Sequence, residues 1–243
     1  MVHGAFCGGW AFDAFRRPFE ALGHEVLALD LPGHGATPDR GLLSRASMSD
    51  YASAVVKACA QFDEAPILIG HSLGGLVTQI AATRMRPKAV VLLAPSAPWG
   101  IQGSSLEEGA SAVGLYGLGA FWCMAVDPDY GLAARYSLDR FSSAERRALY
   151  ARMSPESGRA LWETLNWWMD PFMTTAVAAH RMSAPVLAVA GGRDLIHPPA
   201  TVRQTAARLD GEILVFDEMS HWLIGEPGWE GVASAVLDWL ARR

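Results

Sequence analysis

Residues 66–75 read PILIGHSLGG, and the reading of this stretch decides the fold. Ile67 to Ile69 form a short apolar run of strand type, and Leu76 to Met85 carry a helical pattern. Between them lies Gly70-His71-Ser72-Leu73-Gly74, a G-x-S-x-G spacing, with Gly75 beyond. A serine at the tip of a sharp strand-to-helix turn must hold a strained backbone, and small residues two positions to either side let the chain close that tightly. Gly70 and Gly74 supply them. An ordinary glycine-rich turn would use the same residue types; the strand before and the helix after are what favour the sharp turn.

Working outward, the same rhythm recurs. EVLALDLPGHG (25–35), KAVVLLAPSAP (88–98), APVLAVAGGRD (184–194) and GEILVFDEMSH (211–221) are apolar runs that end in turn residues. They lack polar alternation, as strands covered by helices on both faces do. Helical segments fall between them, at Trp10 to Leu22, Met48 to Phe62 and Pro199 to Leu209, and a final helix places Trp229, Val232, Val236 and Leu240 on one face. The alternation predicts an α/β fold with a mostly parallel sheet flanked by helices.

From about Trp99 to Met182 the strand signal vanishes. Capping cues replace it, Ser142 with Glu145 three residues on, then Ser154 before Pro155 at a first helical position. The spacing predicts a helical insertion over 99–182 within a core made of 1–98 and 183–243. The insertion is rich in rings, among them Tyr116, Phe121, Trp122, Tyr136 and Trp162. Most of these would form its own small core, and some would line a pocket where it meets the sheet.

Composition narrows the function classes. The chain has 243 residues, 51% hydrophobic and 19% charged, with a net charge of −5. No basic cluster and no C-x-x-C or H-E-x-x-H spacing occurs, which argues against a nucleic-acid partner and a metal site and for a small organic ligand. Cys7, Cys59 and Cys123 are odd in number and too sparse for a disulfide scaffold, which fits a reducing, cytoplasmic setting. No run approaches the about 18 apolar residues of a membrane span, so a membrane partner is not expected. Oligomeric state has no signature here.

With G-x-S-x-G in its strand-turn-helix setting, the sequence resembles the α/β-hydrolase superfamily over essentially its whole length, as a serine esterase-like member with the insertion in the place of the cap. A serine hydroxyl needs a general base, and the base an orienting carboxylate. The resemblance implies the chain order Ser, acid, His, which assigns Ser72, Asp194 in GGRDLIHPP and His221 in DEMSHW. His197 is the rival base, and Asp217, Glu218 and Asp127 are rival acids. The resemblance also implies an oxyanion hole from the backbone N–H groups of Leu73 and Ala5, the latter in HGAFCGGW (3–10). Phe6, Trp10, Trp122 and Trp222 are possible pocket-lining rings.

In this family the loop follows a central strand, and only Met1, Val2 and His3 precede it here, so a truncated N-terminal strand region is expected. The stretch from HGA to GGW is similar to the branch of plant methylesterases and hydroxynitrile lyases. The lyases carry a lysine directly after the histidine, and Trp222 stands there, which weakens that reading. The expectation is hydrolysis of an ester, thioester or lactone with no cofactor. A carbon–carbon bond hydrolase and a non-catalytic small-ligand receptor remain alternatives of the same fold.

Overall fold

The computed structural model describes residues 1–103, 115 and 117–243. Four parallel strands, β1 (Ile67–His71), β2 (Ala89–Leu93), β5 (Val186–Gly191) and β6 (Glu212–Phe216), lie side by side in that order. The helix Leu73–Ala82 connects β1 to β2, and Pro199–Arg208 connects β5 to β6. On the free side of β1, Val2 makes single parallel bridges to Gly70 and to Leu29. Met1 to His3 therefore lies where a central strand would run.

The unbroken apolar strands have a simple cause. Successive side chains point to opposite faces of a sheet, and both faces here are covered. Val90, Leu92, Val186 and Ala188 pack with Tyr51, Leu76, Val77 and Ile80 on one side. Val91, Leu93, Leu187 and Val189 pack with Phe12, Phe15, Val236 and Trp239 on the other. Burying a Val or Leu side chain of this kind contributes about 1.5–3 kcal/mol each. All ten residues of the helix Leu73–Ala82 are buried, which seats Ser72 at the centre of the molecule.

Several local expectations are corrected. The segment 25–30 forms no ladder, because its pairing is confined to the single Val2 bridge at Leu29. The helix expected over Trp10 to Leu22 is two pieces, Gly9–Phe12 and Arg17–Ala21, and Pro18 sits in the first turn of the second because it has no N–H to give to a helix interior. Ser47 caps the helix Met48–Cys59 through a reciprocal box with Asp50, and that helix ends before Phe62.

Residues 99–182 are not purely helical: β3 (Ala125–Val126) pairs antiparallel with β4 (Glu156–Ser157). Ser142 and Glu145 do box the helix Ser143–Tyr150. Ser154 and Pro155, however, precede β4, and the next helix starts at Gly158 with Ser157 as its cap. Tyr116 lies outside the described residues. Among the described residues no helix is long and apolar enough to cross a membrane.

Candidate active site

β1 ends at His71 and the next helix begins at Leu73, so Ser72 alone makes the turn. Its backbone sits at φ 53° and ψ −123°, a region that costs a residue bearing a Cβ about 1–3 kcal/mol. Its neighbours hold it there. The Ser72 N–H donates to the Leu93 carbonyl at 3.0 Å, and the Ser72 carbonyl accepts from Gly75 at 2.8 Å and Ser96 at 3.0 Å. A Cβ on Gly70 would fall on the Thr78 hydroxyl and the Gly74 carbonyl, and one on Gly74 on the carbonyls of Val2 and His3. The glycines are therefore required by close approach of backbone to backbone.

Ser72 Oγ lies 3.0 Å from His221 Nε2, and His221 Nδ1 lies 2.9 Å from Asp194 Oδ2. A carboxylate only accepts, so the Asp194 contact puts the imidazole proton on Nδ1 and turns a lone pair toward Ser72. The other carboxylate oxygen, Oδ1, accepts from the Ile196 N–H at 2.8 Å and the His197 N–H at 3.0 Å. Burial alone would raise Asp194, but the facing His221, through charge and hydrogen bond, and then His197 outweigh it and hold the carboxyl below its ordinary value. It is ionised at neutral pH. All three groups are almost fully buried.

His71 is a strut beside them. Its Nε2–H donates to the His221 carbonyl at 2.8 Å. Burial first, and then the neighbouring His221, push it down to about 3, so it carries no charge at neutral pH. The rival residues stand outside this chain of contacts, although His197 and Asp127 line the same cavity as Ser72. His197 bonds Ser96 Oγ at 2.9 Å through Nε2. Glu218 is exposed and pairs with Arg193, Asp217 is exposed, and Asp127, within 99–182, pairs with Arg40.

Ser72 and His221 open into a cavity of about 640 Å³ lined in part by residues of 99–182. Ala5 and Leu73 border it, and its wall is mainly apolar, with Leu132, Val126 and Leu161 beside Phe6 and Trp222. Leu73 is the first residue of its helix, so its N–H has no partner within the helix. Trp10 and Trp122 are not part of the wall, contrary to expectation. Trp10 stacks on Trp222 instead, and Trp122 packs edge-on to Phe121 and is 41% exposed. Tyr136 from the insertion does face the cavity. Sequence reasoning missed the Ser96–His197 pair and the buried carboxylate of Glu156, which no motif marks.

A hydrogen-bonded chain from carboxylate to imidazole to hydroxyl can make a serine nucleophilic. The model of the alpha/beta hydrolase family matches residues 1–235, and the chain belongs to that family. It is 37% identical over 109 residues to the tobacco salicylic acid-binding protein 2, a match covering 43% of this chain and 42% of that one. The chain thus matches less than half the length of that relative. An Arabidopsis methylesterase structure superposes with a TM-score of 0.76 at 16% identity, over 100% of this chain and 98% of that one. A monoacylglycerol lipase from Paleococcus ferrophilus does so with a TM-score of 0.70 at 25% identity, over 98% and 91%.

Proposed function

We propose that this chain is a serine hydrolase that cleaves a carboxylic ester, thioester or lactone of a small, largely apolar substrate through an acyl-enzyme. The observation that carries this is the continuous chain Asp194–His221–Ser72 ending at the mouth of an apolar cavity. Similarity to proteins named methylesterase and monoacylglycerol lipase supports the ester as the bond attacked.

Ser72 Oγ adds to the substrate carbonyl as His221 Nε2 takes its proton, and Asp194 stabilises the resulting imidazolium. The N–H groups of Ala5 and Leu73 receive the charge on the carbonyl oxygen. His221 returns the proton to the leaving alcohol or thiol, and water then repeats the sequence on the acyl-enzyme. In this reading residues 99–182 act as a cap over the sheet, and the partner is a small molecule.

The test is a set of initial rates on p-nitrophenyl esters from acetyl to decanoyl, for the wild type and Ser72→Ala. Turnover abolished in the variant supports the reading, with the fastest acyl length reporting the reach of the cavity. A folded wild type that hydrolyses none of the series overturns it.

A further inference from the structure

The loop from His3 to Phe6 has its peptide groups fixed from two sides. His3 is fully buried, and its Nε2 accepts from the Leu31 N–H at 3.1 Å. Its proton therefore sits on Nδ1, which donates to the Gly4 carbonyl at 2.8 Å. A peptide is planar and trans, so holding the Gly4 oxygen aims the Ala5 N–H the opposite way.

A different residue holds the next peptide. The Phe6 N–H donates to Glu156 Oε2 at 3.3 Å, across 150 residues of chain, with Phe6 itself at φ 63°. Glu156 belongs to β4 of the insertion and is fully buried. Its Oε1 accepts from the Tyr51 hydroxyl at 2.6 Å and the Ser157 N–H at 2.6 Å. His34 Nε2 lies 3.2 Å from Oε2, and the His34 ring meets His3 edge-on at 4.8 Å. Burial by itself would raise Glu156, but His34 and then Tyr51 outweigh it and keep it below its ordinary value. An ionised carboxylate is acceptor-only, which suits the Phe6 and Ser157 N–H groups and the Tyr51 hydroxyl that donate to it.

A buried carboxylate is costly unless it is fully partnered, and a pair that merely bolts two elements together is often no better than an apolar contact. The bond to Phe6 separates this carboxylate from a bolt, because it ends on the peptide that follows the Ala5 N–H, and Ala5 borders the cavity beside Ser72. The loop also packs directly on the turn: a Cβ on Gly4 would lie 3.0 Å from Ser72 Cβ.

We propose that Glu156 is a positioning residue for the oxyanion hole: it holds the Ala5–Phe6 peptide from the insertion, so that seating of the insertion and aim of the Ala5 N–H are coupled. The inference rests on the ester-hydrolase reading above, and it makes the insertion part of the catalytic geometry as well as a wall of the cavity.

The experiment compares wild type, Glu156→Gln, Tyr51→Phe and Ser142→Ala for hydrolysis of p-nitrophenyl acetate, for the rate of Ser72 labelling by a fluorophosphonate, and for Tm. Glu156→Gln keeps the shape but places an NH₂ among donors. Losing a whole oxyanion donor costs on the order of 10²–10³ in kcat, so misaiming one is expected to cost about 10- to 100-fold, with KM within about 3-fold and labelling slowed in parallel. Tyr51→Phe is expected to act in the same direction by a smaller factor, and it decides the matter if Glu156→Gln does not fold. Ser142→Ala removes the cap of the helix Ser143–Tyr150, a hydroxyl that accepts from the Glu145 N–H at 3.3 Å away from the Glu156 cluster, so it is expected to lower Tm and leave kcat unchanged.

Wild-type kcat and labelling in folded Glu156→Gln would overturn the inference. So would an equal loss of kcat in Ser142→Ala. If the wild type is labelled at Ser72 but hydrolyses no ester, the ester reading fails and the labelling ratios still decide on Glu156. A folded wild type that is not labelled would remove both.

Discussion

Trp222, the residue directly after His221, stacks on Trp10 with ring centroids 6.2 Å apart and planes 29° apart. It also meets His71 edge-on at 5.8 Å, while the Arg152 guanidinium lies 4.4 Å over Trp10. Where the lyase resemblance would require a lysine, the chain has a buried ring wedged between the His221 loop and the first loop. That ring can exclude water and contact apolar substrate, but it cannot meet an anion with charge.

Removing it should therefore show in binding as well as in stability. We predict that Trp222→Ala lowers stability by about 3–5 kcal/mol, as aromatic truncations in a core do, and raises KM for longer acyl esters more than for acetyl. Trp222→Phe should retain most of both. An unchanged ratio of KM between decanoyl and acetyl esters in a folded Trp222→Ala protein would show that Trp222 is core alone.

Asp194 sets a prediction with a sign. Its folded pKa lies below its unfolded value near 3.8, so its stabilising contribution is present above that value and is lost as pH falls through the folded pKa. Asp194→Asn should lower kcat by about 10⁴, the loss typical when a triad histidine takes the wrong tautomer. The difference in Tm between wild type and Asp194→Asn should be steady from about pH 6 to 8 and shrink below about pH 4. A gap that widens on acidification would contradict the charge pairing with His221.

Much of the fold was legible because its signals are local. Continuous apolar runs such as Val90–Leu93 imply covering on both faces, and Gly70 with Gly74 implies a turn that admits no Cβ. The order of Ser72, Asp194 and His221 carried over from the family resemblance. Pairing and burial over long range were less legible. The strand character of residues 25–30 depends on a partner, and Val2 supplies only one bridge. Ser154-Pro155 reads as a helix start, yet β3 pairing captures the next two residues for a strand. Glu156, flanked by Pro155 and Ser157, looks like a solvated turn residue; only Tyr51, His34 and Phe6, each far away in sequence, explain its burial.

The cysteines differ enough to be told apart by alkylation. Cys7 borders the cavity, but burial raises its thiol far above the ordinary value, so almost no thiolate forms near neutral pH. Cys123 is exposed. We predict that iodoacetamide at pH 8 modifies Cys123 first, leaves Cys7 unmodified in the folded protein, and does not inhibit. Rapid loss of activity with label on Cys7, mapped by mass spectrometry, would show a reactive thiol in the cavity.

Glu226 is a buried carboxyl that the proposed mechanism does not use. Its Oε1 accepts from the Ser220 N–H at 2.6 Å, directly before His221, while Oε2 has no partner among the described residues. Burial pushes it up to about 7, the Ser220 bond opposing and the Asp139 charge adding to the rise. A folded pKa above the unfolded value means that its contribution is fully present below about pH 4.5 and is lost as pH rises through about 7. Glutamine keeps an acceptor for Ser220 and removes the ionisation, so Glu226→Gln should match the wild type in Tm at pH 5 and exceed it at pH 8. Because Ser220 leads into His221, the wild type should also lose activity above pH 7 more steeply than the variant does. Parallel Tm curves for the two proteins from pH 5 to 8 would mean that Glu226 does not titrate in this range.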